Sequence, residues 1–262
     1  RMFAGEGAKT ADKQALKVAK DMKAAGVPDE AIHAKTGWFA GMADGKWRFE
    51  IDDSAAKGQF THLSPSLDRL AEKAIVHPSI YKAYPDLSEI SQLGLKEARE
   101  SGSNISYSTN GKPSSKGTII AEAPDEAGIK SVGLHELQHA IQRREGFARG
   151  GTPEEFITST VNGTTLTPEA QEMFNSALIK NHPKMSAEEI AFRQRDAAQK
   201  VYESLAGESE ARLTAMRMDM TAPERAASYP PSMFDLYVPV KDQIVRYGDN
   251  VGGAMMHRPK TE

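Results

Sequence analysis

The segment GLHELQHAIQRREG, residues 133–146, spells H-E-x-x-H over His135, Glu136 and His139. Residues four apart share a helix face, so both histidines can present an imidazole nitrogen to a single ion. Glu136 sits about 100 degrees around the helix from His135, beside such an ion rather than bound to it, where it can take a proton from a water. Leu134, Leu137 and Ile141 follow i, i+3, i+7 spacing and point the other way, so the helix has a core side and a chemical side. The alternative is a pair of histidines satisfied by ordinary hydrogen bonds. With average composition the pattern arises by chance on the order of once in a hundred chains of this length. The helix phase, and the short strand GTIIAEAP just upstream, favour the metal.

The chain contains no cysteine, so any metal must be held by His, Asp or Glu. A catalytic zinc takes three protein ligands and keeps one position open. The third is expected from YESLAGESEARL, residues 202–213. In a long helix starting near Ser186, one stripe holds Ile190, Ala197, Val201, Leu205 and Ala215, and Glu208 falls in its middle. A carboxylate directed inwards there needs a partner. Glu210 shares the opposite face with Gln199, Glu203 and Arg217, the composition of a solvated side. Arg212, four residues after Glu208, either orients that carboxylate or forms an ordinary i, i+4 ion pair. Gly207 inside a helix implies close approach of another backbone, here expected between the two ligand helices. Tyr202, Tyr107 and His182 are candidate oxyanion stabilisers; His33, His62, His77 and His257 have no partner spacing and receive no function.

The elements that must position these residues follow from start and stop signals. Thr10 can cap a helix over 11–25 that stops at Gly26, and a second helix after Pro28 stops at Gly37. Trp47, Phe49 and Ile51 alternate with Arg48, Glu50 and Asp52, and Asp44-Gly45 turns this strand back on Trp38-Phe39, giving a hairpin with a buried aromatic side. SPSLDRLAEKAI reads as a helix capped by Ser64, and the polar run 100–117 as strand fragments and loop. Start signals at Thr152, Thr167, Ser186 and Thr221 make the C-terminal half α-rich, and LYVPVKDQIVRY is extended enough to rejoin a sheet.

Of the 262 residues, 39% are hydrophobic and 26% charged, with a formal net charge of -3. That balance is typical of soluble globular chains, and no basic stripe invites nucleic acid. No apolar run approaches the roughly 20 residues of a membrane span, and the start RMFAGEGAKTAD suggests a fragment of a longer polypeptide.

TGWFAGMADGKWRFEIDDSAA, HPSIYKAYPDL, GLHELQHAIQRREGFARGG and AGESEAR, in this order from Phe3 to about Tyr247, resemble the large polyvalent protein associated domain 23 family of phage and mobile elements. The resemblance implies a zincin-type metallopeptidase. The fold it implies is α+β, with a small sheet packed on the active-site helix and an α-rich C-terminal half. It forms a single domain over 1–262, helical and hairpin to about 99 and metal-binding from about 100. Zincins with a glutamate ligand carry E-x-x-A-D or similar on a later helix. Glu208-Ser209-Glu210-Ala211-Arg212 matches E-x-x-A and has Arg where many zincins have Asp. Glu208 stands 69 positions after His139, farther than in compact members, so the intervening helices are an insertion.

The expected function is zinc-dependent peptide hydrolysis, with Zn2+ on His135, His139 and Glu208, Glu136 as base, and an extended substrate along the strand GTIIAEA. Expected partners are a peptide or protein substrate and the rest of the parent polypeptide, without nucleic acid or membrane. The resemblance implies a soluble protein of the virion, or of the host cytoplasm after delivery. The rival expectation is a zincin-like module with little or no turnover that serves structure or protein binding.

Overall fold

The computed structural model describes residues 1–61, 73–96, 102–109, 112–161, 163–178, 185–236 and 238–248. Helix α1 (Lys13–Ala24) is capped by Asp12, whose carboxylate accepts from the Ala15 amide at 2.8 Å. Asp12, rather than the expected Thr10, is the residue within reach of the first free N–H groups. Helix α2 (Asp29–Thr36) ends at Gly37 in the left-handed region, φ 74°. Strands β1 (Met2–Ala4), β2 (Trp38–Ala40) and β3 (Trp47–Ile51) form an antiparallel sheet in the order β1-β3-β2, with Trp38 opposite Phe49 and Phe39 opposite Arg48. The hairpin forms as expected, but its polar side is not solvated. Arg48 is 3% exposed, and Glu50 is ion-paired to the fully buried Arg217 at 2.7 Å. One face of this sheet is therefore covered by apolar packing, and the other combines paired charges with the buried Phe3 and Phe39.

Strands β4 (Lys57–Gly58) and β5 (Ile75–Val76) form a short antiparallel pair, followed by helix α3 (Pro78–Ala83). Strands β6 (Ser91–Lys96), β7 (Gly102–Thr109) and β8 (Lys112–Ala123) make the second sheet, with β6 parallel and β7 antiparallel to the central β8. The polar run that suggested loop and strand fragments thus supplies a long hairpin. The strand expected to offer substrate a free edge is hydrogen-bonded on both sides.

Helix α4 (Glu126–Glu145) packs on this sheet. Asp125 accepts from the Gly128 amide at 2.7 Å, Arg143 and Arg144 occupy the last turn, and Gly146 closes the helix at φ 63°. Ile129, Leu134, Leu137 and Ile141 join Ile75, Ile80, Leu87 and Ile119 in one fully buried core. Each such side chain contributes about 1.5–3 kcal/mol.

Beyond α4, the helix expected after Thr152 is only a 3-10 turn (Pro153–Glu155), and it precedes the hairpin of β9 (Ile157–Thr160) and β10 (Gly163–Leu166), which was not anticipated although Asn162-Gly163 is its turn signal. Helices α5 (Pro168–Ala177), α6 (Ala187–Glu203), α7 (Ala206–Arg217) and α8 (Ala222–Ala227) follow; the starts of α6 and α8 carry the capping boxes of Ser186 and Thr221. The long helix expected from Ser186 is two helices. Between them Ser204 and Leu205 divert to the C-terminal segment: Ile244 N–H donates to the Ser204 carbonyl at 2.8 Å, and Ala206 N–H to the Ile244 carbonyl at 2.9 Å. Among the described residues that segment joins no sheet, and Ile244 makes an isolated parallel bridge with Leu205. The fold is α+β with small sheets. Among the described residues no helix is long and apolar enough to cross a membrane. Residues 64–72 of the expected Ser64 helix, His62, His182 and His257 lie outside the described residues, and Ile75, placed at the end of that helix, opens β5 instead.

Candidate metal centre

Helix α4 places His135 and His139 one turn apart on the side away from Leu134, Leu137 and Ile141. Helix α7 brings Glu208 against them in its first turn, where the helix dipole favours a negative charge. The two Nε2 atoms are 3.1 Å apart. Glu208 Oε1 lies 3.2 Å from His139 Nε2, and Oε2 lies 3.3 Å from His135 Nε2. The Glu208 side chain is 1% exposed, whereas the His135 and His139 side chains keep 18% and 14% of their surface. The cluster is thus closed behind the carboxylate and open over the imidazoles.

Two groups hold Glu208 from behind. Tyr202, at the end of α6, donates its hydroxyl to Oε2 at 2.9 Å, and the Gly151 amide donates to Oε1 at 3.1 Å. The segment after α4 reaches the carboxylate because two glycines let it through. A Cβ on Gly207 would collide with the Arg149-Gly150 backbone, and a Cβ on Gly150 with the Glu208 carboxylate and the His139 ring. The close approach expected at Gly207 is therefore made by this loop rather than by α4. Gly150 and Gly151 were not anticipated as part of the site; the paired glycines directly after the histidine helix are the signal that carries them.

The electrostatics follow from burial set against these partners. Burial pulls the His139 imidazole down, but the Glu208 carboxylate, aided by Glu136, raises it to about 9. Burial pushes Glu208 up, and the imidazoles of His139 and His135 overcome this to hold it well below the usual carboxylate range. The Tyr202 hydroxyl is raised, by burial first and then by the Glu208 charge it faces. Glu136 is 5% exposed and close enough to act on both His139 and Tyr202.

Glu210 is not on a solvated face. It is 2% exposed, accepts from Arg48 Nε at 2.5 Å and Gln138 Nε2 at 2.9 Å, and lies 3.2 Å from Gln142 Nε2. The expectation failed because it carried the phase of α6 through the break at Ser204. Arg217, assigned to the same solvated face, is likewise buried against Glu50. Arg212 donates to the Glu203 carbonyl at 2.9 Å, tying α7 to the end of α6. Tyr107 lies on β7 with its side chain outside the described residues. His33 packs edge-on to Phe39, and His77 caps α3 as acceptor from the Ile80 amide at 3.3 Å, pushed down to about 4 by burial.

Sequence reasoning missed Gln138 and Gln142. Gln142 Oε1 lies 2.9 Å from His139 Nδ1 and its Nε2 donates to the Gly207 carbonyl at 2.8 Å, while Gln138 exchanges hydrogen bonds with the Phe3 backbone at 2.9 and 3.0 Å. Two glutamines one turn apart, on a helix already carrying a chemical face, were the available signal.

Residues 1–61 match the family model of large polyvalent protein associated domain 23. That finding bears on the first part of the resemblance read across Phe3 to Tyr247, and it covers the β1-β3-β2 sheet but none of the three clustered residues. No curated protein and no solved structure matches the chain.

Proposed function

We propose that the chain is a zinc-dependent peptide hydrolase, with His135, His139 and Glu208 as ligands and Glu136 as general base. The observation that carries this reading is the spacing of the three donor atoms. A tetrahedral ion about 2.0–2.1 Å from each ligand spaces its donors by roughly 3.3 Å; here the imidazole nitrogens are 3.1 Å apart, Glu208 meets them with different oxygens, Oε1 3.2 Å from His139 and Oε2 3.3 Å from His135, and one donor atom from each residue lies within 4.8 Å of the others. The donor set, two imidazoles and a carboxylate with one side left open, is that of a catalytic rather than a closed structural zinc.

When bound, zinc would lower the pKa of its water towards about 7 and polarise the scissile carbonyl. The chain supplies the rest. Glu136, adjacent to His135 on α4, accepts the proton of the attacking water and returns it to the leaving amine. Tyr202 and the Gly151 amide hold Glu208 in place. A zincin-like fold, and a parent polypeptide of phage or mobile-element origin whose own processing or a host protein is the target, complete the proposal.

A second reading has one observation in its favour. The strand expected to receive an extended substrate, β8, has no free edge. A zincin-like shell that holds metal but serves as a protein-binding module fits that fact. Elemental analysis with His135→Ala as control, followed by native chain and Glu136→Gln on a broad peptide library, separates the two. Hydrolysis predicts stoichiometric zinc in both proteins, and cleavage reduced about 10²–10⁴-fold in Glu136→Gln. Equal, background-level cleavage would remove the peptidase reading.

A further inference from the structure

Gln142 stands between the histidine pair and the buried charges under the N-terminal hairpin. Its Nε2 donates to the Gly207 carbonyl at 2.8 Å and faces Glu210 Oε1 at 3.2 Å, so its Oε1 is the atom that meets His139 Nδ1 at 2.9 Å. An amide oxygen only accepts, so the hydrogen of this contact sits on His139 Nδ1. Once the ring is neutral, His139 Nε2, which faces Glu208 and His135, carries the lone pair, the state a metal ligand needs.

The orientation of the Gln142 amide is set from farther away. Glu210 as a carboxylate is acceptor-only, and its Oε1 takes the amide nitrogens of both Gln138 and Gln142. A flipped amide would turn oxygen towards oxygen there and also at the Gly207 carbonyl. Glu210 is anchored by Arg48 Nε, and Arg48 by Asp44, which takes Nη1 at 2.7 Å and Nη2 at 2.8 Å. Asp44 in turn accepts from the Ala148 amide at 2.9 Å, in the loop that crosses the site.

The geometry points to Gln142 and Arg48 as positioning residues of the metal centre: Arg48 fixes Glu210, Glu210 orients the Gln142 amide, and that amide holds His139 as its Nδ1–H tautomer. The inference rests on the metal site proposed above and deepens it. It also gives the segment that matches the polyvalent-protein domain a part in the chemistry, because Asp44 and Arg48 lie within residues 1–61.

The test is 15N NMR of the histidine rings in the full chain, with zinc affinity measured by chelator competition. Spectra are taken without metal, because zinc on Nε2 would by itself fix the hydrogen on Nδ1, and above pH about 10, beyond the value of about 9 to which His139 is raised. Native His139 should carry its hydrogen on Nδ1 alone. Gln142→Leu should mix the two tautomers at His139, leave His135 unchanged, and weaken zinc about 10–100-fold. Arg48→Met should act in the same sense but less, and Arg48→Lys, which keeps a cation beside Glu210, should recover part of the loss. An Nε2-protonated His139 in the native chain overturns the inference, even if every variant fails to fold. So does a Gln142→Leu protein whose zinc affinity falls while the tautomer stays. Zinc binding with the expected tautomer but no peptide cleavage would leave this inference standing and sink the hydrolase.

Discussion

Glu208 and Glu210 stand two residues apart on α7, 1% and 2% exposed, yet they face different worlds. Glu208 meets two imidazoles and a tyrosine hydroxyl; Glu210 meets a guanidinium and two amides. The difference lies in where the compensating positive charge comes from. Arg48 never gives up its proton, so the cation beside Glu210 is built into the fold. The imidazoles beside Glu208 can be protonated or can turn lone pairs towards an ion, so the cation there is exchangeable. A buried carboxylate is thus not by itself a ligand, and its partners decide whether it anchors or binds.

Two substitutions test that contrast with the largest effects. Glu208→Gln should weaken zinc by more than about 100-fold, because the proposed carboxylate ligand becomes a neutral amide, and should cost the metal-free chain only the stability of the pairing with His139. Glu210→Gln should shift the denaturant midpoint by the same amount with and without zinc, because it changes the charge balance around a buried guanidinium and leaves the proposed ligands alone. If Glu208→Gln retained native zinc affinity, or if Glu210→Gln unfolded at the native midpoint, the division into an exchangeable and a permanent end would collapse.

The pH dependence of the metal-free chain gives a smaller but sharper contrast, because the two carboxylates are displaced in opposite directions. Glu208 is depressed, so its contribution is present above the ordinary value of 4.5 and lost as pH falls through its folded value. His139 is raised to about 9, so its contribution is full below 6.5 and lost as pH rises through about 9. Glu210 is raised, by burial first, with Arg48 opposing; it favours the fold when protonated and takes stability away as pH rises from 4.5. Unfolding free energy measured against pH should therefore decline between 6.5 and about 9 in the native metal-free chain. Glu208→Gln should flatten that decline by removing the partner of His139, whereas Glu210→Gln should leave it in place. Saturating zinc should also remove it, since bound imidazoles no longer titrate in that range. An alkaline decline that survives in Glu208→Gln would show that another group causes it.

The legible part of this site was the part written within one helix. The apolar row of Leu134, Leu137 and Ile141 and the i, i+4 histidines are local periodicity, and α4 has the expected two faces. Glu208 is directed inwards, as the phase argument expects, but that argument runs along a helix that in fact breaks at Ser204. Ile190, placed on that same stripe, is 36% exposed. What sequence could not carry was pairing at a distance. Arg48 and Glu210, 162 positions apart, each look solvated in their own element and are buried only because they meet. The same holds for Glu50 with Arg217. Alternation and helix phase identify which residues share a face; they do not tell a solvated charged face from one that another charged face covers.

Tyr202 is where the contrast between holding and reacting is finest. Among candidates for stabilising an oxyanion it reads plausibly from sequence, but its hydroxyl donates to Glu208 Oε2 at 2.9 Å, and the Gly151 amide serves the other oxygen. A hydroxyl spent on Glu208 acts, in the proposed site, through that carboxylate. Tyr202→Phe should therefore weaken zinc by about tenfold, close to the 1.5 kcal/mol of a hydrogen bond to a charged group, and the zinc-saturated variant should turn over within a few-fold of the native rate. An oxyanion donor behaves in the opposite way, costing about 10²–10³ in kcat with the metal affinity unmoved. Chelator competition and kcat at saturating zinc distinguish these outcomes. A large kcat loss at unchanged affinity would mean that Tyr202 leaves Glu208 when substrate arrives, and that the Gly151 amide alone suffices to keep the third ligand in place.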